Sequence, residues 1–347
     1  DTVSELIAGL FLTVHSNSLL SSIIIAFPNG VFDEKFTYVL LESYLEHIIA
    51  DHGISVRLLY NKKETNIFTD GIGQSPLCAL EKSTQSSMDF VRQFRFDVGK
   101  NYYRKLFLAN ENSDETLSSA ITTLCLFFEG LGITKTRSDL LSEVAVELVG
   151  NALEHSCSDC FLDIDVTPRD YVRRNNPNGP KYYGVNICVV NFSPTLLSSQ
   201  IQSKLCVNPE LRDKSDSARY WRLRKIYMYH RRFFREDYGD DEFFMLSAFQ
   251  DRISGRPNEY LTGGTGLPTL IKWLETQADS NNCYVLSGRR KMQFLQPLLE
   301  YDAEHWIGMN QEHDFQHCAP DKNVFLPFPI YFPGTAYNLN FVMETEE

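Results

Sequence analysis

Ser138-Asp139-Leu140-Leu141-Ser142-Glu143-Val144-Ala145-Val146-Glu147-Leu148-Val149-Gly150-Asn151-Ala152-Leu153-Glu154-His155-Ser156 is the stretch on which the reading of this chain turns. Leu141, Val144, Ala145, Leu148, Val149 and Ala152 recur at three- and four-residue intervals, the signature of a helix with one buried face. Glu147 and Asn151, four apart, then lie one above the other, as do Glu143 and Glu147. A carboxylate that can take a proton from water and an amide oxygen that can hold a hard cation such as Mg²⁺ are thereby aimed at one spot. Taken alone, a Glu and an Asn on a helix are more often a solvated face than a functional one.

A second stretch shifts the balance. Thr262-Gly263-Gly264-Thr265-Gly266-Leu267-Pro268-Thr269-Leu270-Ile271 is a glycine cluster that opens directly into an apolar helix. Such a start lets backbone N–H groups approach phosphate oxygens at the positive helix end; a structural glycine turn is the alternative.

Together the two stretches resemble the GHKL ATPases, the superfamily of gyrase, heat-shock chaperone, MutL and histidine-kinase ATP-binding domains. Residues 147–155 are similar to the N box of that family, and Gly264-Thr265-Gly266-Leu267 to its second glycine box, in the same order and at a matching separation. The resemblance runs from about residue 112 to 347. It implies ATP and Mg²⁺ as ligands, with Glu147 as the general base that activates the attacking water and Asn151 as the Mg²⁺ ligand. Gly263, Gly264, Thr265 and Gly266 would donate N–H groups to the phosphates, and Leu267 would anchor the helix start. Thr335, after Gly334, matches the hydroxyl that joins the water network around adenine. His155 matches the histidine that follows the N box, where packing or capping of the helix end serves as well.

The first glycine box departs from the family pattern of Asp-x-Gly-x-Gly. The corresponding place reads Val190-Asn191-Phe192-Ser193-Pro194-Thr195. Asn191 would accept the adenine amino group through its amide oxygen, without the charge that strengthens such a bond roughly twofold.

Outward from these motifs, the chain reads as α/β. A short N-terminal helix in 1–20 precedes a β-rich run at 22–27, stopped by Pro28-Asn29-Gly30. Asp33 can cap a helix to about His52, ended by Gly53, and 55–60 follows as a second strand. That β-α-β unit calls for parallel strands, and residues 1–110 are similar to the STAS-like layer that accompanies GHKL domains. Within 61–111, strand-like pieces lie near 90–96 and 104–108, and a domain boundary is expected near 110. From 111 to 347 the expectation is a two-layer α/β sandwich of Bergerat (GHKL) type: a helix over 114–130, the central helix, a hairpin of 160–166 and 183–190, and strands at 282–287 and 335–342.

About seventy residues separate Asn191 from the second glycine box, where the family keeps its ATP lid. Residues 204–235 of this insert, placed at about 195–260, mix Lys204, Arg212, Lys214, Arg219, Arg222, Arg224, Lys225, Arg231, Arg232 and Arg235 with Tyr220, Trp221, Tyr227, Tyr229, Phe233 and Phe234. Three uses are open: a solvated helix neutralised by the acidic block 236–242, an acidic protein partner, or, last of the three, nucleic acid.

The formal charge of −12 argues against a surface given over to nucleic acid or anionic membrane. No apolar run of about eighteen residues and no leader-like N-terminus is visible, so a cytoplasmic protein is expected, with a homodimer compatible. The eight cysteines are scattered and read as reduced. Cys157 and Cys160 have half the spacing of a zinc site without a second pair, and His305, His313, His317 and Cys318 fit no standard metal pattern.

Three functions follow from the resemblance: a regulatory ATPase whose nucleotide state drives the insert and the N-terminal layer, an anti-sigma-like kinase acting on a separate protein, or an interaction module that kept the fold and lost the chemistry. A bacterial regulatory or defence role is the setting the resemblance suggests.

Overall fold

Residues 183–190 alternate between two cores, and that alternation organises the molecule. Tyr183, Val185, Ile187 and Val189 belong to one hydrophobic cluster, Cys188 and Val190 to another. A strand that buries both faces must be covered by helices on both sides. The computed structural model describes residues 2–27, 35–60, 76–81, 86–111, 113–167, 178–207, 218–253, 266–277 and 282–345.

The N-terminal part runs α1 (Thr2–Ser16), β1 (Ser22–Phe27), α2 (Lys35–His52) and β2 (Ser55–Tyr60). As the β-α-β pattern requires, β1 and β2 are parallel, in register from Ser22↔Ser55 to Phe27↔Tyr60. The expected turn 28–30 and the Asp33 cap lie outside the described residues.

Next come α3 (Ser86–Arg95), β3 (Phe96–Val98), β4 (Tyr102–Phe107), α4 (Ser113–Gly130), α5 (Lys135–Asn151), β5 (Cys160–Val166) and β6 (Tyr182–Phe192). The insert carries α6 (Ser199–Val207), α7 (Ala218–His230) and α8 (Asp240–Ser247). The chain closes with α9 (Gly266–Gln277), β7 (Tyr284–Gln293) and the long β8 (Phe325–Glu344). Strands β3 to β8 form one antiparallel sheet in the order β3-β4-β5-β6-β8-β7. The architecture is therefore mixed α/β, with α4, α5 and α9 on one face of that sheet and α1 and α2 on the other.

Two expectations need correction. Residues 90–95 are helical: Phe90, Val91 and Phe94 are buried at a spacing of one and four, which serves a helix face better than an alternating strand. The boundary expected near 110 falls between β4 and α4, yet the sheet runs across it, because Tyr102–Phe107 pairs with Asp165–Cys160 of β5.

The two sides of that boundary are also joined by buried charge. Arg104 of β4, fully buried, bonds Glu42 of α2 and sets its Nε 2.6 Å from Asp163 Oδ2 of β5. Lys35 of α2 reaches Asp163 Oδ1 at 2.5 Å, and the guanidinium lies over the rings of Phe94 and Phe161. Burial pushes the Asp163 carboxyl up, but Lys35 and Arg104 outweigh it and hold that pKa below the usual range.

Candidate functional site

Helix α5 lies against the sheet because its stripe of Leu141, Val144, Ala145, Leu148 and Val149 is buried there. It continues into a π-helical turn at Ala152–Ser156 and ends at Cys157, whose φ of 48° turns the chain toward β5. Gly150 faces α4, where a Cβ would stand 3.3 Å from Leu117 Cδ1. Glu147 and Asn151, both half-buried, are one turn apart as the spacing requires, with Asn151 Nδ2 3.4 Å from Glu147 Oε1. Glu143, one turn earlier, is exposed.

Tyr337 of β8 lies in the same core as the apolar stripe of α5. Burial raises the Tyr337 phenol, with the negative charge of Cys160 and Glu147 as lesser causes. Two residues earlier on the same strand and face is Thr335, buried, and directly across from it in register is Asn191 of β6. Asn191 and Thr335 thus lie on the face of the sheet that α5 covers, and Ser158, just past the end of that helix, is bonded to Asn191.

The segment that replaces the first glycine box is tied to the end of that helix. Asn191 is buried and donates from Nδ2 to Ser158 Oγ at 3.1 Å. Ser193 Oγ donates to the Ser156 carbonyl at 3.3 Å, accepts from Thr195 N at 3.0 Å, and its backbone N–H reaches the Pro333 carbonyl. Gly334, at φ 132°, passes so close to the Asn191 carbonyl that any Cβ would overlap it. Here glycine is required by both conformation and space.

Helix α9 begins at Gly266 and packs against α5, with Leu267 half-buried against the same core. Trp273 meets the ring of Phe341, and within a few residues of the helix end the chain enters β7 opposite Asn338. Gly263, Gly264 and Thr265 lie outside the described residues, and so does the side chain of His155. Sequence reasoning assigned no role to Ser158 or Ser193; the hydroxyl bonding two residues ahead, across Pro194, is the turn pattern by which Ser193 was recognisable.

The insert is built into the fold rather than laid over it. His230 of α7 is fully buried, with Nδ1 2.6 Å from the Tyr238 hydroxyl and Nε2 2.7 Å from the Phe315 carbonyl. Arg219 donates to the carbonyls of Asp251, Glu304 and His305 and covers Trp306, while Arg222 forms a two-pronged pair with Glu304. Arg235 pairs with Asp237 at 2.5 Å.

Cys160 is buried and Cys157 exposed, which separates the two thiols. His305, His313 and His317 each approach a different carboxylate, those of Asp251, Glu300 and Asp314. Among the described residues no group of three or more His, Cys, Asp or Glu is arranged to hold a metal ion, and no helix is long and apolar enough to cross a membrane. Comparison with protein-family models, curated proteins and solved structures finds no match.

Proposed function

We propose that this chain is a Mg²⁺-dependent ATP-binding protein with a Bergerat (GHKL) type nucleotide domain, that it hydrolyses ATP, and that the bound nucleotide governs the insert and its partner contacts. What supports this reading is the pair Glu147 and Asn151, one turn apart on α5, together with Asn191 and Thr335 on the sheet face that α5 covers and the glycine-started helix α9 packed against α5. The STAS-like assignment of the N-terminal layer rests on the parallel β1-α2-β2 unit.

The residues suit the ligand. Asn151 turns its amide nitrogen toward Glu147, leaving Oδ1 as a hard oxygen donor for Mg²⁺, which when bound neutralises phosphate charge. Glu147, half-buried on α5, would accept the proton of a water at the phosphate end. Asn191 and Thr335 would meet the base, and the start of α9 the phosphates.

The test is release of ADP and phosphate from Mg-ATP. Removing a general base costs about 10²- to 10⁴-fold in rate, so Glu147→Ala should bind ATP, read as a thermal shift, and turn over at a small fraction of the parent rate. Hydrolysis by that variant at the parent rate would show that the base lies elsewhere.

One observation favours a second reading. Asn191 is buried and donates its amide nitrogen to Ser158, in a segment held to Ser156 and Pro333, so the place of the first glycine box is closed by internal bonds although the Asn191 amide oxygen is not the atom they use. An interaction module that no longer binds nucleotide accounts for this, and absence of any thermal shift at millimolar Mg-ATP would select it. Transfer of the γ-phosphate to a co-purified protein, with no free phosphate released, would instead identify an anti-sigma-like kinase.

A further inference from the structure

Helix α7 and the short 3₁₀ turn Arg231–Phe233 divide the cations of the insert into two sets. The inward face of α7 holds Tyr220, Leu223, Ile226 and His230, and the cations beside it are used within the fold: Arg219 on backbone carbonyls, Arg222 on Glu304, Lys204 on the Tyr220 hydroxyl. The opposite face carries Trp221, Lys225, Met228 and Arg232 at helical spacing, flanked by Arg224 and Arg231. Trp221 is 44% and Met228 58% exposed. None of these four cations meets a carboxylate among the described residues.

We propose that this outer face of α7 is the docking surface for an acidic amphipathic segment of a partner protein. Carboxylates of the partner meet Arg224, Arg231 and Arg232, and apolar side chains seat on Met228 and on the face of Trp221 that Lys225 leaves open. The anatomy is that of a small protein-binding patch: an aromatic and a methionine at the centre, arginines around them. On a chain of net charge −12 this positive stripe is a local reversal of sign, which steers acidic partners to it.

Nucleic acid fits less well, because it needs rings open for base stacking. Here Lys225 sits 3.4 Å over the Trp221 ring and Arg232 3.1 Å over Tyr229, so one face of each ring already carries a cation. Directly after the stripe come Glu236, Asp237, Asp240 and Asp241, which end the positive surface, so that a short acidic segment fits where a continuing phosphate backbone would run onto like charge.

The inference names the partner chemistry of the insert and does not require that the chain bind ATP, so the titrations are run without nucleotide. Fluorescein-labelled probes are titrated with the full chain: an amphipathic glutamate–leucine peptide, polyglutamate, and a single-stranded thymidine oligonucleotide. The glutamate–leucine peptide should bind most tightly. Charge reversal of the two unpartnered arginines, Arg224→Glu with Arg231→Glu, should weaken it by about tenfold or more with an unchanged melting temperature. Trp221→Ala with Met228→Ala should reduce its affinity to that of polyglutamate. The proposal is overturned if the peptide does not bind, if charge reversal leaves binding unchanged, if the oligonucleotide binds more tightly than the peptide, or if light scattering shows the stripe taken up by a second copy of the chain.

Discussion

Replacing His230 by Phe should flatten the pH dependence of stability on the acidic side. The imidazole is fully buried, and its two partners fix its state: the Phe315 carbonyl can only accept, so Nε2 carries the proton and Nδ1 accepts from the Tyr238 hydroxyl. A second proton would give Nδ1 a hydrogen facing a hydroxyl already bonded to it. Burial lowers the His230 pKa from 6.5 to about 4, against a smaller opposing pull from the Phe315 carbonyl and Asp314. Between those two values the unfolded chain binds a proton that the folded chain refuses, so stability is fully present above pH 6.5 and is lost as pH falls toward 4. Each pH unit of separation corresponds to about 1.4 kcal/mol, which makes the whole loss about 3 kcal/mol and the loss by pH of about 5.5 close to 1.4 kcal/mol.

Phe keeps the ring among Phe233, Phe243 and Phe315 and removes the titration. It strands the Tyr238 hydroxyl and the Phe315 carbonyl, at about 1–3 kcal/mol each, at every pH. Urea unfolding at pH about 7.5 and about 5.5 separates the two effects: the variant should be weaker at both but lose about 1.4 kcal/mol less between them. Other groups shape the parent curve, among them His47, lowered by burial, and Glu42 and Glu46, raised by it. They are common to both proteins and cancel in the difference. Equal losses in parent and variant would refute the assignment of a neutral, buried imidazole.

Three further outcomes are expected. Arg104→Met leaves Glu42 buried without its cation and Asp163 with Lys35 alone, and should cost about 3–5 kcal/mol in urea unfolding; a cost under about 1 kcal/mol would mean that water reaches the cluster. Gly334→Ala drives a methyl into the Asn191 carbonyl and should lower the melting temperature by several degrees, whereas an unchanged value would contradict the close approach of β8 to β6. Asn151→Ala should abolish the Mg²⁺ dependence of any thermal shift produced by ATP, and a shift of undiminished size with Mg²⁺ present would remove Asn151 from the ligand set.

The elements with strong local patterns were legible. Helix α5 follows from its apolar spacing, β5 and β6 from runs bounded by turn residues, and the parallel β1-β2 pair from the strand–helix–strand order. What escaped is set by distant partners. Phe90 and Phe94 read as strand-like until their neighbours, the Phe161 ring above all, show that a helix face is being buried. Nothing local in Tyr102–Phe107 says that it will pair with a strand more than fifty residues later. For the site, Glu147 and Asn151 were visible because four-residue spacing on a helix is a local rule. The bonds from Asn191 to Ser158 and from Ser193 to Ser156 depend on loops meeting after the sheet has formed. The insert misled by composition: its cations look alike in sequence, and only the fold decides that Arg219 and Arg222 are spent on residues 304–305 while Arg224 and Arg231 are not.

The pairing of β4 with β5 also decides how this protein can be taken apart. A fragment starting at residue 111 would lose β3 and β4, stripping β5 of its outer neighbour and baring a row of backbone donors and acceptors to any chain that meets it. The same cut would remove Arg104 and Lys35 from Asp163, marooning a carboxylate among apolar groups. Such a fragment is expected to come out of cells as aggregate, and proteolysis of the intact protein should yield no stable core whose first residue lies just after 110.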